Sequence, residues 1–106
     1  VTRCLVLRYD GRAEHLDANG TTAMAAAIGA DYLDIVNLRD VGLSIAVDDL
    51  GLYRRLPVNH AATAMLHATG RILAHPLVGD VVVFGLDPNT GETLDAPADL
   101  LLAALD

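Results

Sequence analysis

The chain has no lysine. Its seven basic residues are all arginines, set against fourteen acids, for a net charge of −7 over 106 residues. A phosphate-cradling loop of the usual G-x-x-x-x-G-K form is therefore impossible. The shortage of positive charge excludes general nucleic-acid binding, which needs clustered cations. Cysteine is nearly absent too. Cys4 stands alone, so there is no intrachain disulfide and no thiolate-rich metal site. Ser44 is the only serine, and it sits inside an alternating run without an elbow motif. No apolar run approaches the roughly 20 residues that span a bilayer. No basic segment leads into a long apolar one, so no signal peptide is expected. A cytoplasmic location and no membrane contact are the expectations.

Carboxylates are plentiful, but none is marked out as a pair, and no nucleophile stands beside a base. No catalytic residue and no cofactor are expected. A small hydrolase would need a pocket holding a carboxylate or histidine of perturbed pKa. His60 and His67 share a helix face but lie about 10 Å apart along its axis. They are too far apart to ligate one metal ion, whose histidine nitrogens sit about 2 Å away. No metal site is expected.

The apolar fraction is 53%. Abundant alanine accounts for it, or else a surface buried between subunits. An arginine-only, alanine- and aspartate-rich vocabulary suggests a GC-rich genome, actinobacterial or that of a phage of such a host. The acidity keeps a protein soluble, and it also leaves a DNA-mimic role open.

The stretch from Tyr53 to Gly70, YRRLPVNHAATAMLHATG, organises the rest. Asn59 is a good N-cap. His60 to Thr69 reads as helix, and Gly70 fits the left-handed position past its end. Leu52 to Leu56 reads as a short extended approach, with Pro57 denying Leu56 an easy helical backbone. Arg54 and Arg55 thus arrive just before a helix N-terminus, with its unpaired amides and positive dipole end. In an extended approach adjacent side chains point oppositely, so only one arginine can face the helix. Arg54, Arg55, Asn59, His60 and Thr63 form the candidate ligand-binding site. A phosphate-bearing small molecule is its natural occupant. The plainer alternative is a simple cap worth ~1 kcal/mol and an arginine pair that is only surface charge.

Upstream, Arg3 to Tyr9 alternates as a strand, with Cys4 as a buried structural thiol. Asp10-Gly11 signals a hairpin in which both turn residues reach positive φ. Arg12 to Leu16 returns as an edge strand or loop. Thr21 or Thr22 caps a short helix that ends at Gly29, with Met24 and Ile28 one turn apart on its buried side. Tyr32 to Leu38 and Leu43 to Asp48 form an antiparallel hairpin, with Leu43, Ile45 and Val47 inward and Ser44, Ala46 and Asp48 outward.

Downstream, Asp80 to Leu86 contains three consecutive valines and reads as a central strand buried on both faces. Asp87 to Gly91 is a turn, and Glu92 to Leu94 pairs back briefly. Asp95 caps a last helix, with Pro97 in its first turn, running to Leu105. Leu100, Leu101, Leu102 and Leu105 cover too much of that helix for one sheet face to bury. Either the helix packs into a subunit interface or its end is frayed, and a homo-oligomer through the Leu100–Leu105 helix is the expectation.

Residues 1–106 make one domain. The fold class is α+β: a mostly antiparallel sheet of four or five strands, with two or three short helices packed on it. Several motifs bear on family. They are Asp49 and Gly51, then Leu56-Pro57-x-Asn59-x-x-Ala62-Thr63, then Gly79 before Val81, Val82 and Val83. From Leu5 to Glu92 the chain resembles a small family of unknown function found largely in phages, plasmids and their bacterial hosts. The resemblance implies a mobile-element setting and no particular activity. The expected function is binding without chemistry, sequestering a nucleotide-like anion or a host defence signal. The alternatives are an acidic inhibitor or DNA mimic acting on a host protein, and a structural subunit of a homo-oligomer.

Overall fold

A computed structural model describes residues 1–71 and 73–103. The elements run β1 (Thr2–Leu7), β2 (Ala13–Ala18), α1 (Thr21–Ile28), β3 (Leu33–Leu38), β4 (Leu43–Asp48), α2 (His60–Ala68), β5 (Val81–Leu86), β6 (Thr93–Leu94) and α3 (Ala98–Ala103). The sheet is antiparallel with order β2-β1-β5-β4-β3, and the two-residue β6 pairs with β5. The fold is α+β. Five strands form the main path, and the brief return at residues 92–94 supplies the sixth.

The valine run makes β5 the middle strand, and all six of its residues are buried. Alternation splits them between two cores. Val81 and Val83 join Leu5, Ile45, Ala62 and Leu66 under α2 and α3. Val82 and Phe84 join Cys4, Val6, Ala46 and Met24 under α1. The helices therefore lie on both faces of the sheet. This corrects the outward assignment of Ser44, Ala46 and Asp48, which are all buried. Alanine-rich α1 packs over Ala46, Asp48 is engaged by Leu50 N and Arg54, and the Ser44 hydroxyl donates to Asn37 Oδ1 at 2.8 Å.

Three local expectations change. In the first hairpin only Gly11 takes positive φ, at 94°. Arg8 O accepts from Gly11 N and Arg8 N donates to Arg12 O, which makes a three-residue loop with a glycine bulge. Helix α1 has Gly20, not a threonine, at its N-cap, and no side chain caps it. Asp95 does not cap α3; its Oδ1 accepts from Arg3 N at 2.8 Å. Gly29 and Gly70 do take positive φ at the ends of their helices.

Candidate functional site

Asn59 does cap α2: its Oδ1 accepts from Ala62 N at 3.0 Å. It also does more. Its Nδ2 donates to Leu7 O at 2.9 Å and to Gly79 O at 2.8 Å. Its backbone N–H donates to Leu77 O at 2.8 Å. One side chain, 0% exposed, thus ties α2 to β1 and to the approach to β5. The Thr63 hydroxyl is likewise engaged, donating to Asn59 O at 2.8 Å and accepting from Leu77 N at 3.0 Å. Both polar groups expected to face a ligand point into the protein.

The approach to α2 is coiled, not extended. Asp48 Oδ1 accepts from Leu50 N at 2.9 Å, a local bond that draws the chain into a turn. Gly51 N then donates to Asp48 O, Arg54 N to Leu50 O, Arg55 N to Leu52 O and Leu56 N to Gly51 O. Gly51 is required there, because a Cβ would come within 3.0 Å of Val78 Cγ2. In a coil adjacent side chains need not point oppositely, as they do along an extended backbone. Arg54 instead pairs with Asp48, a carboxylate almost wholly buried, and donates to Gly29 O at 3.2 Å. Arg55 has φ 56°, the one non-glycine residue at positive φ among those described.

For an anion there remain Arg55 and His60, both exposed, and the amides of His60 and Ala61. Those amides make no hydrogen bond among the described residues. The structure therefore brings Asn59, His60 and Thr63 together at one helix start, with two of the three facing inward, and assigns Arg54 to a different partner.

Other groups are accounted for locally. Arg8 donates to Ala27 O at 2.7 Å, Asp80 Oδ2 at 2.9 Å and Glu14 Oε2 at 3.0 Å. The hydrogen bond from Arg8 holds the Glu14 carboxyl below its usual range. Burial pushes the Cys4 thiol up to about 11, with Asp95 and Asp17 adding to it, as suits an unreactive core group. His15 Nε2 lies 2.7 Å from Leu101 O. No three His, Cys, Asp or Glu residues gather as a metal site among the described residues. No described helix is long and apolar enough to cross a membrane. In α3, Leu100 and Leu101 pack against the domain's own core and Leu102 is exposed. Leu105 lies outside the described residues.

The coil at 48–56 has an outer side that the sequence did not single out. Leu50, Leu52 and Tyr53 project from it, with Tyr53 86% exposed and Leu52 53%. Beside them a cleft of about 200 Å³ is lined by Asp34, Val47, Asp48, Asp49, Leu52 and His75, among others. Asp34, Asp48 and Asp49 thus meet here, while Asp31 lines a separate cavity beside α1.

No curated protein and no solved structure is similar enough to this chain to count as a match. A family described as a domain of unknown function, DUF3846, matches residues 2–104. A family without an assigned activity is what the motifs around Pro57, Asn59 and Gly79 led us to expect, and the match spans nearly the whole chain: the protein belongs to the DUF3846 family.

Proposed function

We propose that this domain is a non-catalytic binding protein and that its target is another protein. The carrying observation is the coil at 48–56. Hydrogen bonds from the N–H groups of Leu50, Gly51, Arg54, Arg55 and Leu56 close it on itself, and a buried carboxylate pins it from beneath. It nonetheless turns two leucines and a tyrosine to solvent. Exposed hydrophobic side chains scattered singly are ordinary. A cluster on an ordered turn is how interface anchors are presented, at little entropy cost on binding. Asp34 and Asp49 at the adjoining cleft, with the net charge of −7, suit a partner with a basic rim. An acidic inhibitor, with DNA mimicry as its extreme form, draws on the same carboxylates. The setting that goes with this reading is the cytoplasm of a bacterium bearing a phage or plasmid, in keeping with the lysine-free composition.

The test is affinity capture from such a host with tagged wild-type chain and with the double variant Leu52→Ala, Tyr53→Ala. A partner held in fixed ratio by wild type and lost by the variant is the expected result. A partner that the variant retains, or none at all, refutes the reading.

A second reading keeps a phosphate-bearing small molecule or host defence signal as the target. The unbonded amides of His60 and Ala61 and the exposed Arg55 favour it. A thermal-shift screen of nucleotides and cyclic nucleotides decides it: stabilisation that Arg55→Ala abolishes supports it, and no stabilisation removes it.

A further inference from the structure

Strand β3 closes one end of the sheet, with β4 as its only strand neighbour among the described residues. Two hydrogen bonds fix which of its residues face outward. Asp49 N donates to Tyr32 O, so in the β3–β4 ladder the even-numbered residues of β3 bond to β4. The odd-numbered residues Leu33, Ile35 and Asn37 then direct their N–H and C=O groups away from the sheet. The Asn37 carbonyl is indeed reached from outside, by Arg71 Nη2 at 3.3 Å.

An open edge of this kind is a template for another strand, and proteins usually blunt it with lysine, proline, a bulge or a cover. The opposite edge, β2, carries Glu14, His15 and Asp17 and is tied to α3 through His15. Strand β3 reads LDIVNL, pairs with β4 without a bulge, and carries a single charge. Its central residue, Ile35, is 38% exposed and lines both cavities that flank α1.

Charge says what fits the edge. Asp31 and Asp34 lie at the beginning of β3; Arg39 and Arg71 lie at its end, with Asp40 following Arg39. Among the described residues none of Asp31, Asp34, Arg39 and Arg71 makes an ion pair. Arg39 donates only to Pro88 O at 3.1 Å. An antiparallel partner of identical sequence reverses these ends. With Ile35 on the twofold axis, Leu33 of each copy faces Asn37 of the other, Asp34 faces Val36, and Asp31 faces Arg39. Arg71 is then free to leave the Asn37 carbonyl for Asp34 of the other copy, and Leu33 N–H takes its place.

We propose that the protein forms a twofold dimer by pairing β3 with β3 of a second copy, making one continuous sheet with the two Ile35 side chains in contact at the axis. Isologous pairing of this sort is self-limiting and uses the same patch twice. It does not depend on the binding reading above, which rests on the coil at 48–56, although the two share Asp34.

Sedimentation equilibrium tests it. Wild type is expected at twice the 11.1 kDa chain mass. Two variants are each expected to be folded monomers: Asp31→Arg with Asp34→Arg, and Arg39→Asp with Arg71→Asp. Mixed together they are expected to form a dimer, because the swapped ends are complementary again. Ile35→Pro is a further check, since the N–H it removes points away from β4 and the internal ladder survives; it too is expected to be monomeric. A monomeric wild type overturns the proposal. So does a dimer that persists in both charge variants, or a mixture of the two that stays monomeric.

Discussion

Replacing Asn59 by Asp separates a cap from a keystone. At an N-cap the two residues are about equal, and a negative charge at a helix start is favoured by the dipole. If Asn59 only capped α2, the substitution would be neutral or slightly stabilising. In this structure the acceptor to Ala62 N survives, but the two bonds donated to Leu7 O and Gly79 O do not. A buried carboxylate then faces two carbonyl oxygens. Each buried carbonyl that loses its donor costs about 1–3 kcal/mol. The two together cost about 2–6 kcal/mol, against a total stability on the order of 5–15 kcal/mol. Urea unfolding followed by circular dichroism reads this as a midpoint lower by about 2 M. The loss should shrink at acid pH, where protonation restores one donor. An Asn59→Asp variant as stable as wild type at pH 7 would refute the keystone assignment.

Acidification should destabilise the native chain. Asp10 is held below its usual pKa by the Arg12 N–H, Glu14 by the Arg8 side chain and Asp87 by the Asn89 N–H. Each contributes stability that is full above the unfolded-state value and is lost as pH falls through the lower folded one. Urea midpoints measured against pH should therefore drop on the acid side, and Glu14→Gln should flatten that drop. Cys4, with its thiol raised to about 11, should resist alkylation at neutral pH and react only as fast as the protein unfolds; fast labelling of the native state would contradict its burial. Gly85→Ala should destabilise markedly, because the new Cβ would overlap the Asp95 carbonyl oxygen where the chain crosses β5. Unfolding midpoints check it, and an unchanged midpoint would mean that the crossing is looser than described.

Local chemistry made much of this fold readable. Asn59 and Gly70 bracket a helix by capping rules that act over a few residues. The β-branched run at Val81–Val83 marks a strand buried on both faces. What stayed hidden is set by contacts remote in sequence. The two donations from Asn59 reach residues 52 and 20 positions away, so nothing near Asn59 signals them. Leu52 to Leu56 reads as extended because Pro57 favours that geometry just before it. Asp48 decides otherwise by capping Leu50 and holding Arg54. Ser44 and Asp48 looked outward-facing because alternation shows one polar side, whereas alanine-rich α1 covers that side. The identity of the open edge, β3, follows from strand order, which no local pattern encodes.

Amide hydrogen exchange at Ala62 tests the central claim most directly, that the start of α2 is locked into the protein by Asn59. Ala62 N–H donates to Asn59 Oδ1 and is buried. It is expected to exchange only when the whole domain unfolds, with the same free energy as amides of β5 such as Val83. Exchange through a low-energy local opening, with β5 still protected, would contradict the account.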